Sequence, residues 1–173
     1  METHSGTPPG DGTVDGAKRS LISGVLVGVG FAGFVDETVF HQLLHWHHFY
    51  DKSTPSVGLV SDGFFHLATW VCIVAGLFIY ADLRRRAQWH SLRQYAGFCL
   101  GLGGFQLYDG TLQHKVFHFH QIRYHVTIWP YDVTWNLTAA AVLIGGIVLL
   151  RRARHTASVD STRRSAPRRQ RAA

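Results

Sequence analysis

The sequence predicts an all-α membrane protein, a four-helix transmembrane bundle built from two tandem helical hairpins. Three observations carry this expectation. Hydrophobic residues make up 46% of the chain and charged residues 16%, and the apolar residues gather in segments long enough to cross a bilayer. The basic residues fall at the ends of those segments and in the tails, as they do beside membrane helices. Finally, the pattern D-x-T-x-x-H-x-x-x-H-x-H occurs twice without a gap, from Asp36 to His47 and from Asp109 to His120. Each copy closes an apolar segment. Gly24, Gly28 and Gly30 ahead of the first copy match Gly97, Gly101 and Gly103 ahead of the second.

Residues 1–20 begin rich in Gly, Pro and Thr and read as a disordered cytoplasmic tail. A membrane domain over 21–152 follows, with helices at about 21–47, 61–81, 94–120 and 132–150. The first of these, preceded by Lys18-Arg19, imitates a signal peptide, but it is too long and carries Asp36 and Glu37. Asp51, Lys52 and Pro55 read as breakers between the first two helices. Arg84-Arg85-Arg86 ends the second helix, and Arg151-Arg152 ends the fourth. Asp62-x-x-x-His66-Leu67 parallels Asp132-x-x-x-Asn136-Leu137, so the hairpins read as a parallel repeat. Residues 153–173 read as a basic, disordered cytoplasmic tail.

Lys18, Arg19, Arg84 to Arg86, Arg93 and the C-terminal arginines share one side of this arrangement, which predicts a multi-pass cell-membrane protein with both termini cytoplasmic. The chain's formal charge of +6 is explained by such flanks, so no nucleic-acid partner is expected. The expected partner is the lipid bilayer, with another membrane protein or a second copy of the chain as further possibilities. Cys72 and Cys99 lie inside apolar segments, which argues against a disulfide framework or a thiolate metal site.

Carboxylates and imidazoles are costly in a bilayer, so a constellation that occurs twice there reads as functional. Asp36 lies 17 residues past Arg19, about 25 Å at the ~1.5 Å rise of an α-helix, in the outer part of a hydrocarbon core ~30 Å thick. His41 and His45 are four apart and share a helix face, as do His114 and His118. Imidazole is a ligand for zinc, copper, iron and nickel. Two facing helices therefore offer a four-coordinate metal site or a pair of axial haem ligands. Gly24-x-x-x-Gly28 and Gly97-x-x-x-Gly101 predict that the first and third helices meet closely, with their histidine ends splayed into an open outward pocket. His47, His48, His66, His120 and His125 are further candidates. Asp36, Asp109, Asp62 and Asp132 are available to orient imidazoles, the first two also as direct ligands. The bland alternative is that these groups are hydrated at the interface or tie the bundle together by hydrogen bonds.

These same residues, Gly-Phe-Val-Asp36 through His41 to His47-His48, Asp62-Gly-Phe-Phe-His66, and Gly-Gly-Phe-Gln-Leu-Tyr-Asp109 through His114 to His120, resemble the bacterial predicted membrane proteins grouped as domain-of-unknown-function family 2243. The resemblance covers about residues 20–150 and implies a small multi-spanning protein without an assigned activity. It matches Asp36, His41, His47, His48, Asp62, His66, Asp109, His114 and His120, and matches His45 and His118 less well. It therefore favours the spacing of six, which requires the helix ends to bend or unwind.

The sequence thus points to transition-metal (copper, zinc or iron) or haem binding, for metal handling or respiratory-complex assembly. One shared site with His41 and His114 as the leading pair is expected, and two separate sites are the rival. A non-catalytic structural or assembly subunit and a metal-dependent membrane enzyme are the other readings. His41-Gln-Leu-Leu-His45 has Gln42 where the H-E-x-x-H metalloprotease motif needs glutamate. No P-loop, dinucleotide fingerprint or c-type haem attachment motif is present.

Overall fold

In the computed structural model, residues 11–165 are described. All of their regular structure is helical. Helix α1 (Asp11–Val35) continues into a π-helical segment, π1 (Asp36–Leu43). Helix α2 (Pro55–Arg85) returns, α3 (Ser91–Tyr108) continues into π2 (Asp109–Val116), and α4 (Trp129–Ser165) returns again. The helices stand side by side in the order α2, α1, α3, α4, so that α1 and α3 form the centre. Among the described residues, three spans are long and apolar enough to cross a membrane: Val14–Leu43, Pro55–Arg85 and Trp129–Val159. Helix α3 is the less apolar one, and its flanks are covered by α1 and α4.

Glycine decides the central contact. A Cβ on Gly24 or Gly28 would run into the backbone of Gln94, Gly97, Phe98 and Leu102, and one on Gly97 or Gly101 would meet Leu21 and Val25. The two backbones therefore touch, which is how membrane helices associate where apolar burial offers no advantage over lipid. Gly30 does the same for α1 against Thr69 and Ile73 of α2, and Gly103 for α3 against Ala139 and Leu143 of α4. The interior holds small and polar side chains such as Ser20, Ser23, Ala32, Ala96 and Ala139, while Phe64, Leu67, Phe78, Leu137 and Ile144 point outward. That inversion suits a chain whose surroundings are apolar.

The helix ends differ from the sequence expectation in three places. Helix α1 starts at Asp11 rather than near 21, and the connection to α3 meets its added turns at Gly16, beside Gln88, and at Ser20, whose hydroxyl accepts from the His90 backbone N–H at 3.0 Å. Pro55 opens α2 instead of breaking it. It sits in the first turn behind the cap Thr54, where a missing N–H costs nothing. Helix α4 runs to Ser165, past Arg152. The expected disordered tails are thus helical over 11–20 and 153–165, and residues 1–10 and 166–173 lie outside the described residues. Arg19 reaches Asp82 at 2.6 Å and joins α1 to α2 at the arginine-rich end. The two motif copies meet at the opposite end.

Candidate metal centre

Local geometry explains the spacing of the motif. At 3.6 residues per turn, five residues of α-helix make about 1.4 turns, so Asp36 and His41 would point to different sides. In a π-helix, bonding to the fifth residue brings such positions over one another. His41 Nε2 lies 3.7 Å from an Asp36 carboxylate oxygen. In π2 the equivalent His114 Nε2 lies 3.1 Å from Asp109.

Each π segment ends in the same reversal. The Leu44 and Trp46 N–H groups donate to the carbonyls of Val39 and Phe40, and those of Phe117 and Phe119 donate to Leu112 and Gln113. His45 and His118 take the left-handed conformation, with φ of 50° and 52°. Histidine is among the residues enriched there. The chain folds back over the helix end and delivers His47 beside His41, and His120 beside His114. His45 and His118 are exposed, so the face-sharing pairs His41/His45 and His114/His118 do not form: the π turn and the reversal remove them from that face.

The two loops exchange contacts. His47 Nδ1 bonds the Ile122 carbonyl at 2.9 Å, and His120 Nδ1 bonds the Phe49 carbonyl at 2.9 Å. The Asp51 N–H donates to the Phe119 carbonyl at 3.0 Å. A carbonyl acceptor fixes Nδ1 as the protonated nitrogen and leaves the Nε2 lone pair free. The four rings pack in one cluster: His41–His47, His47–His120 and His120–His114 centroids are 4.5, 4.5 and 4.7 Å apart, and His41–His120 and His47–His114 are 6.1 and 6.2 Å apart. His41 and His114 each lie against a loop histidine.

The cluster is sealed. Asp36, His41, His47, Asp109, His114 and His120 are 1–5% exposed, in place of the open pocket expected from the sequence. Tight glycine contacts close the bundle, and the crossed loops cap it. Within this enclosed volume, Nε2 of His41 and His47 has no hydrogen-bond partner, and Nε2 of His114 and His120 faces the Asp109 carboxylate at 3.1 and 3.6 Å without an aligned hydrogen bond. A buried polar atom left unpaired costs ~1–3 kcal/mol, and here five imidazole nitrogens, these four and His114 Nδ1, share that condition. Ligand atoms of Asp36, His41 and His47 lie within 4.8 Å of one another, as do those of Asp109, His114 and His120. Each triad is two imidazoles and a carboxylate. His47, which lies in the loop beyond the spans, is pushed well below the ordinary imidazole pKa, first by burial and then by the neighbouring His120, His41 and His114. It is therefore neutral, the form that binds metal.

A second layer stands behind His41. Its Nδ1 is 2.7 Å from Glu37 and 3.2 Å from Asp62. The other Asp62 oxygen is 2.6 Å from His48 Nδ1, and the Phe49 N–H donates to Asp62 at 2.7 Å. Carboxylates in this position orient an imidazole and raise its basicity toward metal. His48 thus supports the cluster through Asp62. His66 stands apart, with Nε2 accepting from Trp70 at 3.0 Å on the exposed face of α2, and His125 is exposed in the second loop. Glu37 escaped the sequence reading, although its place four residues before His41 was the available signal.

The family model described as "Predicted membrane protein (DUF2243)" matches residues 23–153, a range that holds both triads and all three membrane spans but for their outer ends. No curated protein and no solved structure matches the chain.

Proposed function

The chain belongs to this family of predicted membrane proteins, and from that premise we propose that it binds a pair of transition-metal ions in the membrane, one on each Asp-His-His triad. The observation that carries the reading is the set of four buried Nε2 atoms without partners. Charge supports it: Asp36, Glu37, Asp62 and Asp109 are all buried, and two divalent cations balance four carboxylates. The donor set of imidazole and carboxylate without thiolate suits zinc, iron, nickel or cupric copper. Haem fits less well, because the imidazole rings already touch and leave no slot for a macrocycle. Two imidazoles and a carboxylate leave coordination positions open on each ion, which makes metal handling or metal-dependent chemistry the natural roles. The matched π turns also support reading the two hairpins as a tandem repeat.

Elemental analysis of protein purified in mild detergent after growth with supplementary metal tests the reading, with two ions per chain expected. The His41→Ala and His114→Ala variants should each retain one. Full binding by the double variant, or no metal above background in the native protein, would overturn it. The arginine distribution further supports cytoplasmic termini and an external cluster in the cell membrane. Single cysteines at Ser56 and Ala157, both exposed, check this in intact cells with an impermeant thiol reagent. Labelling is expected at 56, and labelling only at 157 would invert the orientation.

A further inference from the structure

An ion bound in a sealed cluster needs a route to it. A cavity of about 370 Å3 indents the loop-end surface, lined by His45, Trp46, His47, His48, Asp51 and Tyr124. His47 is the one triad member in that lining. Its ring meets His41 and His120 on the buried side, at 4.5 Å each, and the cavity on the other. His45 is exposed at the mouth, and His48 and Asp51 are half-buried. His48 commits Nδ1 to Asp62, leaving Nε2 as its donor. Beside His47, the cavity wall therefore carries donors of the same kinds as a buried triad, two imidazoles and a carboxylate. A second cavity, lined by Phe40, Trp46, Ile122, Pro130, Tyr131, Thr134, Trp135 and Thr138, holds no triad member and no ionisable ligand beyond a phenol.

We propose that the His45–His48–Asp51 cavity is the port through which divalent metal ions reach the buried pair, with His47 passing each ion inward. The inference rests on the two-ion reading and adds the route. An ion shedding its water at the mouth meets His45 and Asp51, then His48, then His47, whose Nε2 has no protein partner to give up. A port acts on rates alone: obstructing it slows uptake and release together and leaves the bound amount unchanged.

The test uses Co2+ uptake followed optically in detergent, in a Cys72→Ala/Cys99→Ala background. His45→Cys is introduced and, after folding, capped with a bulky maleimide, so that one folded sample is compared before and after capping. Tyr124→Cys offers a second attachment point in the lining, and Ser53→Cys, exposed outside the lining, is the control. Capping at 45 or 124 should slow uptake at least tenfold with the final amount unchanged, and capping at 53 should not. Uptake at the uncapped rate by both capped port variants would overturn the port. An uncapped protein that takes up no Co2+ would instead overturn the metal reading beneath it.

Discussion

The two motif copies share a backbone and differ in charge. Both bend through a π segment, reverse at a left-handed histidine and return a second histidine onto the first. Around His41, however, stand Glu37 and Asp62, with His48 and Gln42 attached to them. Around His114 the place of Glu37 is taken by Gly110, where a Cβ would strike Trp135 at 2.5 Å. Asp132, the counterpart of Asp62, turns away to Lys115 at 2.6 Å. His114 Nδ1 is left without a partner, while Gln113 donates to Asp109 at 3.1 Å. The backbone thus sets where two ions would sit, and the second layer sets how firmly each is held. On the two-ion proposal, the first triad would hold its ion more tightly than the second.

The largest expected effect removes the comparison altogether. Gly28→Leu forces a side chain into the Phe98 and Leu102 backbone, and overpacking of this kind costs ~1–3 kcal/mol, occasionally more. The halves part, and both ions are lost from the detergent-purified protein along with its thermal transition. Gly145→Leu, where a Cβ meets nothing within 4 Å, should keep both, and equal tolerance at the two positions would remove the glycine contact as the basis of the cluster.

Next in size, the single histidine variants separate the two ions. In a competition titration with a chelator, His41→Ala should erase the tighter binding step and His114→Ala the weaker. Loss of the same step in both variants would mean one shared ion. Glu37→Gln should then weaken the tighter step alone, by roughly 10–100-fold, the usual cost of removing a partner that orients a ligand. A weakened second step, or none, would show that Glu37 does not back His41.

The helices were legible in the sequence because a bilayer demands long apolar segments and leaves polar groups to stand out. The glycine-lined contact of α1 and α3 was legible for the same reason, since small residues at a spacing of four have few other uses there. The cluster was legible in composition but not in shape. Helix-face arithmetic paired His41 with His45, because it assumes 3.6 residues per turn throughout. The π segments break that assumption, and no residue in Asp36–Leu43 announces them. Only the spacing of five from Asp36 to His41, repeated at Asp109 and His114, carries the trace. Pairing across the two loops, through the carbonyls of Phe49 and Ile122, is set by backbone groups that every sequence has.

The smallest expected effect isolates charge from geometry. Gln42 and Lys115 occupy the same position in the two copies. Gln42 donates to Glu37 at 2.7 Å, and Lys115 neutralises Asp132. Exchanging them, as Gln42→Lys with Lys115→Gln, alters neither triad nor its backbone. A cation beside Glu37 opposes metal at the first triad, and its removal beside Asp132 favours metal at the second. Lys115 is 41% exposed along its side chain, so solvent screening limits each change to about 1 kcal/mol, roughly fivefold in affinity. Each of the two binding steps should move toward the other by up to that amount, so that the gap narrows by at most roughly 25-fold in the same chelator titration. A gap that widens or stays fixed would mean that the carboxylate layer does not set the difference between the halves, and that the unpartnered Nδ1 of His114 does.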